Sequence, residues 1–213
     1  MLYAPAVGAM YPRPPGAQTR VEVPGLSDVL CGASRPGHFS GVATVVCKLL
    51  NQAQPDVAVF GEKDFQQLVV IRRMVGDLDI PVEILGEPTV RETDGLALSS
   101  RNLYLTVEER AIAPTLHGTL RETADAVRAG RRDYAVLESE ATARLDAAGF
   151  LTDYVSVRRA TDLNTPEPGD RDLVILGAAY LGKARLIDNV ALNLQRGISA
   201  PIGCRIPRCN GGP

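Results

Sequence analysis

The sequence predicts an α/β protein, with a parallel sheet in its first half and a smaller α+β unit in its second half. Two apolar strand-like runs, residues 57–60 and 82–85, flank a helical pattern over residues 64–77. This strand–helix–strand order predicts a right-handed crossover between two parallel strands. Further strand-like runs after residue 150 follow one another with short turns, which is typical of an antiparallel sheet.

An earlier helix is predicted over residues 40–53, because apolar residues recur there at 3.6-residue spacing on one face. Ser40 is its expected N-cap, and Pro55 follows its end. Upstream, residues 19–23 alternate in the manner of a short strand. These elements complete the first predicted domain, residues 1–94.

The second predicted domain, residues 95–195, starts with a capping box at Thr106 and Glu109. Pro114 should interrupt and restart the helix that follows. A later helix is expected from about Tyr134 to Ala148, closed by Gly149. Three predicted strands then complete the domain, residues 153–158, 173–180 and 184–192, with a hairpin turn at Gly182 and Lys183. The remaining tail, residues 196–213, shows no periodicity and is expected to be disordered.

Composition narrows the class of partner. The 213 residues are 45% apolar and 23% charged, with a formal net charge of −2. That balance provides no field to attract nucleic acid or an anionic membrane, and no apolar run approaches the roughly 18 residues that span a bilayer. Four cysteines without framework spacing, and the absence of a signal-peptide pattern, predict a cytoplasmic protein with free thiols. Cys204 and Cys209 could instead be metal ligands or a disulfide, but without a second pair or a nearby histidine they too are interpreted as free thiols.

Two polar motifs stand where apolar runs end. Gly61-Glu62-Lys63-Asp64 directly follows the first strand, and Ser99-Ser100-Arg101 follows the second after a loop. A strand that ends in glycine and charge and then enters a helix brings backbone N–H groups and a lysine to one place, which suits phosphate. The second motif adds hydroxyl groups and a fixed cation. Together they predict a nucleotide site at the carboxyl edge of a parallel sheet.

Five segments, in this order, resemble the pantoate–β-alanine ligase family (pantothenate synthetases). They are Met10-Tyr11-Pro12, Arg35-Pro36-Gly37-His38-Phe39, Phe60-Gly61-Glu62-Lys63-Asp64 with Gln66-Gln67, Pro88-Thr89-Val90-Arg91-Glu92, and Ser99-Ser100-Arg101-Asn102. The segment 186–189 (Leu-Ile-Asp-Asn) is similar to the family's last strand. The likeness extends over about residues 1–195.

The resemblance implies a Rossmann-like nucleotidyltransferase sheet, incomplete at its amino end, followed by a smaller α+β domain. It also implies that ATP activates the carboxylate of pantoate as pantoyl adenylate and releases pyrophosphate. The amine of β-alanine then displaces AMP. Mg²⁺ would accompany the nucleotide, with no metal site of the protein's own, and a homodimer is the expected assembly.

Lys63 is the first predicted catalytic residue, because its charge can neutralise phosphate oxygens as the transition state forms. Gly61 is expected to let its backbone approach the ligand, and Glu62 belongs to the same ATP-binding segment. For Asp64, two roles stay open: capping the following helix, or lying near the ribose or Mg²⁺. By resemblance Gln67 binds pantoate, through an amide that suits a hydroxyl and a carboxylate.

Ser99, Ser100 and Arg101 match the family's phosphate-binding loop, and Arg101 offers a planar, permanently charged donor fork. His38 is predicted to be catalytic by donating to a phosphate or the nucleotide. A weaker expectation attaches to Arg35. By resemblance the backbones of Val90 and Leu98 line the adenine pocket. His117 is interpreted as structural.

One departure from the family pattern concerns histidine. The family carries a His-x-Gly-His motif that contacts ATP phosphates, whereas His38 and His117 are the two histidines of this sequence. The sequence therefore resembles a family member without that amino-terminal segment. Two alternatives to an active ligase stay open: a nucleotide-binding fragment without turnover, and another nucleotidyltransferase such as a cytidylyltransferase.

Overall fold

A computed structural model describes residues 2–14 and 16–194. Its helices are α1 (Val7–Met10), α2 (Cys31–Ser34), α3 (His38–Ala53), α4 (Phe65–Asp77), α5 (Val107–Ile112), α6 (Thr115–Arg128) and α7 (Tyr134–Ala147). Its strands are β1 (Val57–Gly61), β2 (Glu83–Glu87), β3 (Leu151–Arg159), β4 (Asp172–Leu181) and β5 (Ala184–Asn193). Two 3₁₀ turns, Glu62–Asp64 and Ser100–Tyr104, precede α4 and α5. We call the parts before and after residue 95 the amino-terminal and carboxyl-terminal lobes.

The amino-terminal lobe contains the predicted parallel pair. Strands β1 and β2 run parallel, with Val57 opposite Glu83 and Gly61 opposite Glu87. Helix α4 forms the crossover between them and packs against both strands and against α3. The predicted α/β class is thus confirmed, and the predicted bounds of these elements shift by one or two residues.

Two local predictions in this lobe are wrong. Helix α3 begins at His38, and its N-cap is Gly37 with φ 76°, so Ser40 lies inside the helix. Glycine tolerates this left-handed conformation without a steric penalty, and it therefore starts the helix earlier than a serine cap would. Residues 19–23 form no strand, since no neighbouring strand pairs with them; the N–H of Val21 instead donates to Thr44 Oγ1 at 2.9 Å.

The carboxyl-terminal lobe is a three-stranded antiparallel sheet, in the order β3-β4-β5, with α6 and α7 packed on one face. The capping box is present: Thr106 accepts from the N–H of Glu109, and Glu109 accepts from that of Thr106. Helix α6 restarts after Pro114, as predicted. The hairpin turn between β4 and β5 contains Gly182 with φ 55°, and a Cβ there would collide with the Glu109 carboxylate.

Strand β4 is buried on both faces, and its alternate residues enter two different hydrophobic clusters. Leu173 and Ile175 pack with α6 and α7, whereas Val174 and Leu176 pack with α3 and α4. A strand covered on both sides reads as a continuous apolar run, as residues 173–179 do. The antiparallel sheet is therefore the middle layer, with helices of the two lobes on its opposite faces.

Other sequence predictions concern membranes, thiols and metal ions. No helix in the described part is long and apolar enough to cross a membrane. Within residues 2–14 and 16–194, Cys31 and Cys47 are free thiols, and no cluster of three or more His, Cys, Asp or Glu residues is arranged to hold a metal ion. Cys204, Cys209 and the predicted disordered tail lie outside the described residues. The domain boundary at residue 94 stays a prediction, since the hydrophobic cluster of the first lobe extends onto β4.

Candidate functional site

A cavity of about 390 Å³ opens between α3, the start of α4 and the inner face of β4 and β5. Such a volume falls in the range of small-molecule sites. Eight residues predicted from the sequence line this cavity: Arg35, His38, Lys63, Asp64, Gln67, Ser99, Ser100 and Arg101. The fold thus brings His38 and Arg101, which are 63 positions apart in the chain, to the same cavity.

Lys63 and Asp64 reach the cavity because the chain tightens into a 3₁₀ turn as soon as β1 ends. Lys63 is half-buried, and in the described part of the chain its ammonium group takes part in no ion pair. Asp64 occupies the N-cap position of α4, yet its side chain makes no capping hydrogen bond. Its exposed carboxylate is therefore available to a ligand, which weighs against the capping role.

His38 is the first residue of α3, a 16-residue helix, and so belongs to the turn whose backbone N–H groups have no partner within the helix. Burial, and then the positive charge of Arg35, lower the pKa of His38 below 6.5. Arg35 Nη1 lies 3.1 Å from His38 Nε2. Because an arginine N–H can only donate, Nε2 accepts and Nδ1 carries the ring proton. His38 is accordingly a neutral hydrogen-bond donor at pH 7.

The segment with Ser99, Ser100 and Arg101 enters from the second lobe. Ser99 Oγ accepts from the N–H of Arg101 at 3.2 Å, which starts the 3₁₀ turn and fixes the local backbone. Asn102 Nδ2 donates to the carbonyl of Ala97 at 3.1 Å and closes the loop behind it. Within the described residues Arg101 has no ion-pair partner, and its charge is felt at His38.

The adjacent residues Gln66 and Gln67 have different surroundings. Gln67 is half-buried and lines the cavity, as a pantoate ligand should. Gln66 is buried and satisfied internally: its amide donates to the carbonyls of Leu26 and Val29, at 2.9 and 2.7 Å, and accepts from the N–H of Cys31. Gln66 thereby ties the loop before α2 to α4, and Gln67 is left to face the cavity.

Four predicted ATP-binding residues do not line this cavity: Gly61, Glu62, Val90 and Leu98. Gly61 has an ordinary φ of −72°, and a Cβ there would meet no atom within 4 Å. The protein itself therefore does not require glycine at this position. The N–H of Leu98 donates to the carbonyl of Val90 at 2.9 Å, next to the isolated bridge between Arg91 and Ala97. Their ATP contacts stay predictions.

Sequence reasoning missed a polar cluster on the cavity wall made by Cys31, Tyr154 and Arg185. Cys31 Sγ lies 3.1 Å from the Tyr154 hydroxyl and 3.4 Å from Arg185 Nη2. Arg185 is held by Asp153 at 2.6 Å. Burial, together with the adjacent thiol, raises the pKa of Tyr154, which stays protonated. No local motif marks these residues, because they meet across the lobes.

Asp188 and Asn189 were also missed as site residues, although they lie in the segment that resembles the family's last strand. Asp188 is 5% exposed and forms a two-pronged ion pair with Arg91, at 2.6 and 2.9 Å. Burial alone would raise the pKa of Asp188, but the His117 ring, whose Nδ1 lies 3.5 Å from the carboxylate, and the hydrogen-bonded Arg91 guanidinium outweigh it and hold that pKa below 3.8. Asn189 Nδ2 donates to the carbonyls of Glu62 and Lys63, at 2.8 and 3.0 Å.

Comparison with known proteins shows which family has sequences similar to this chain. The family model described as pantoate-beta-alanine ligase matches residues 1–191. Proteins named pantothenate synthetase from Pseudomonas entomophila (strain L48) and Methylococcus capsulatus (strain Bath) are each 60% identical over 195 residues. Those alignments cover 92% of this chain and 68% of each relative.

Solved structures agree. The pantothenate synthetase from Thermus thermophilus superposes with a TM-score of 0.79 and 45% identity, over 87% of this chain and 67% of that one. A pantoate-beta-alanine ligase from Francisella tularensis, described as complexed with beta-gamma ATP and beta-alanine, gives a TM-score of 0.66 at 34% identity. That alignment covers 86% of this chain and 61% of the Francisella chain.

Proposed function

The chain belongs to the pantoate–β-alanine ligase family, and we propose that it condenses pantoate with β-alanine at the expense of ATP. The products are pantothenate, AMP and pyrophosphate, and the intermediate is pantoyl adenylate. The observation that carries this proposal is the convergence of Lys63, Arg101, His38 and Gln67 on one cavity. The Francisella ligase, described as a complex with beta-gamma ATP and beta-alanine, supports the choice of those substrates.

The charge of the cavity suits the first step. Arg35, Lys63 and Arg101 supply cations beside the carboxylate of Asp64. Arg185 and the buried carboxylate of Asp188 also line the cavity but are paired with Asp153 and Arg91. In the reaction, an oxygen of the pantoate carboxylate forms a bond to the α-phosphorus, and the bond to the β-phosphate oxygen breaks. Pyrophosphate departs with that electron pair. Lys63 and Arg101 stabilise the negative charge on the phosphate oxygens.

The second step releases AMP. The amine of β-alanine bonds to the acyl carbon, loses a proton, and the acyl–oxygen bond to AMP breaks. His38 Nδ1–H is a neutral donor in the same cavity and can hold an oxygen of either substrate. The amide of Gln67 provides one donor and one acceptor group, which matches a hydroxy acid such as pantoate.

Mg²⁺ would enter with the nucleotide. Magnesium in nucleotide sites is held by one or two carboxylates together with phosphate oxygens and water. The exposed carboxylate of Asp64, free of a capping bond, fits that donor set. When bound, the ion would neutralise phosphate charge beside Lys63.

The direct test is pyrophosphate release from ATP, followed with a coupled assay in the presence and absence of pantoate. The proposal requires release that depends on pantoate, and formation of pantothenate once β-alanine is added. Equal rates with and without pantoate would contradict it. A Lys63→Ala protein is the background control.

A second candidate, nucleotide binding without turnover, is favoured by one sequence observation. His38 and His117 are the two histidines, and neither stands in a His-x-Gly-His motif. Calorimetry with ATP separates the two functions. Heat of binding without pantoate-dependent pyrophosphate release would favour this second candidate over the ligase.

The assembly and location proposed with this function are a homodimer in the cytoplasm, with no nucleic-acid or membrane partner. Light scattering coupled to size-exclusion chromatography tests the dimer, since a monomeric mass would exclude it. Cell fractionation tests the location.

A further inference from the structure

We infer that Asp188 and Asn189 act as a positioning pair, which fixes Lys63 and the Ser99–Arg101 loop relative to each other. The inference deepens the proposed function and rests on it, because it assigns the task of holding the phosphate-binding groups in register. Neither residue needs to touch the substrate to do this.

Asn189 holds the turn that contains Glu62 and Lys63. It is 8% exposed, and its amide nitrogen donates to the backbone carbonyls of both Glu62 and Lys63. These carbonyls belong to the 3₁₀ turn that presents Lys63 to the cavity. A carbonyl accepts a side-chain donor only in a limited range of directions, so two such bonds fix the orientation of the turn.

Asp188 holds the loop that leads to Ser99 through its ion pair with Arg91. The Arg91 guanidinium binds both carboxylate oxygens of Asp188 and also donates to the carbonyl of Gly95 at 3.1 Å. Arg91 and Ala97 form an isolated antiparallel bridge, so the loop that leads into Ser99 folds back on the arginine. A two-pronged arginine–carboxylate pair restricts direction as well as distance.

The two residues are neighbours on one strand, and consecutive side chains of a strand point to opposite faces of its sheet. Asn189 therefore reaches the turn of the amino-terminal lobe, and Asp188 reaches Arg91 and His117 on the side of α6. A single rigid stretch of β5 thus serves as a common reference for both motifs. A displacement of about 1 Å between reacting groups can cost about 100-fold in rate.

The principal test is a double-mutant cycle between Asn189 and Lys63. Asn189→Ala should lower the rate of pantoate-dependent pyrophosphate release by about 10- to 100-fold. If Asn189 acts through Lys63, the double variant Asn189→Ala/Lys63→Ala should be no slower than Lys63→Ala alone. Multiplied losses in the double variant would overturn the inference, because they would mean a general loss of structure.

Two further variants keep the test decisive. Asn189→Ser retains one donor and should restore part of the rate that Asn189→Ala loses. Asn193→Ala removes an amide from the exposed end of the same strand, where it contacts Asp172, and should leave the rate unchanged. Asp188→Asn should couple with Arg101→Ala in the same non-additive manner, and additive losses there would remove Asp188 from the pair.

Hydrogen exchange supplies a readout that does not need catalysis. In Asn189→Ala, amides of residues 62–67 should exchange at least several-fold faster, whereas those of α7 should keep their wild-type rates. Unchanged exchange at residues 62–67 would refute the inference even if the enzyme is active. A wild-type protein that releases no pyrophosphate, together with this local change in the variant, would refute the proposed function and leave the positioning role supported.

Discussion

The two lobes differ in how completely they bury their sheets. In the carboxyl-terminal lobe, β4 is covered on both faces, and residues 173–179 are all buried. In the amino-terminal lobe, β1 and β2 are covered on one face, and Val57, Val59 and Leu85 stay 44%, 57% and 38% exposed. Yet it is the amino-terminal lobe that supplies Lys63, His38 and Gln67 to the cavity. The lobe with more buried sheet thus holds in place the lobe that carries much of the chemistry.

The contacts between the lobes support this division. Val174 and Leu176 of β4 complete the hydrophobic cluster of α3 and α4. Asn189 holds the turn that carries Lys63, and Arg185 lies against Cys31. The antiparallel sheet therefore supports the site more directly than the short parallel pair does. The predictions below test this comparison, in order of decreasing effect, and the last of them is followed by its consequence for stability at low pH.

The largest effect is expected when a large buried side chain of the carboxyl-terminal core is truncated, which leaves an empty space in that core. Leu120 in α6 is fully buried, and its methyl groups pack on Gly177 of β4. Leu120→Ala should lower the free energy of unfolding by about 2–5 kcal/mol, measured by urea denaturation. Val59→Ala in the exposed face of β1 is the matched control and should change it by less than about 0.5 kcal/mol. Similar losses of unfolding free energy in both variants would contradict the difference in burial between the two lobes.

Removal of the Lys63 ammonium group should affect activity and spare stability. Without its charge, phosphate oxygens in the transition state lose a principal cation, and pyrophosphate release should slow by about 100- to 1,000-fold. The unfolding free energy should stay within about 0.5 kcal/mol of wild type, because Lys63 makes no ion pair in the described part of the chain. Lys183→Ala, at the exposed hairpin turn, is the control and should retain full activity.

Loss of the cap at the start of α5 should have a smaller effect. Thr106→Ala removes the acceptor for the N–H of Glu109, which should lower the unfolding free energy by about 1 kcal/mol. Thr106→Ser keeps a hydroxyl and should recover most of that loss. Both are read from thermal and urea unfolding. A Thr106→Ala protein as stable as wild type would show that the capping box contributes nothing at this junction.

The smallest effect concerns the pKa of His38, which NMR titration of its ring can follow. Arg35→Gln removes a positive charge that lowers this pKa, so the pKa should rise; Asp64→Asn removes a negative charge that raises it, so the pKa should fall further. Shifts of the same sign would contradict the charge arrangement at the cavity.

The same pKa fixes the sign of a pH effect on stability. The folded protein favours neutral His38 more than the unfolded chain does. The contribution of His38 is therefore fully present above the unfolded value of about 6.5 and is lost as pH falls through the lower folded pKa. A His38→Gln protein should lack this component of acid sensitivity, which pH-dependent unfolding would reveal.

Local patterns in the sequence determined much of this protein. Apolar runs and apolar spacing predicted α3, α4 and the strands β1 to β5, whereas the short helices α1 and α2 were not predicted. Thr106 and Glu109 marked a helix start, and charge after a strand end marked Lys63. These features are predictable because the residues that decide them lie within a few positions of one another. The same reasoning misplaced the start of α3, where the conformation of Gly37 prevailed over the capping preference of Ser40.

The contacts that support the site depend on the tertiary structure. Asn189 and Glu62 are 127 positions apart in the chain, and Cys31 and Arg185 are 154 apart. No periodicity connects such residues, since their meeting depends on how β5 packs between the lobes. The sequence therefore predicted which groups bind phosphate, whereas the packing of one antiparallel sheet against both sets of helices determined where those groups are held.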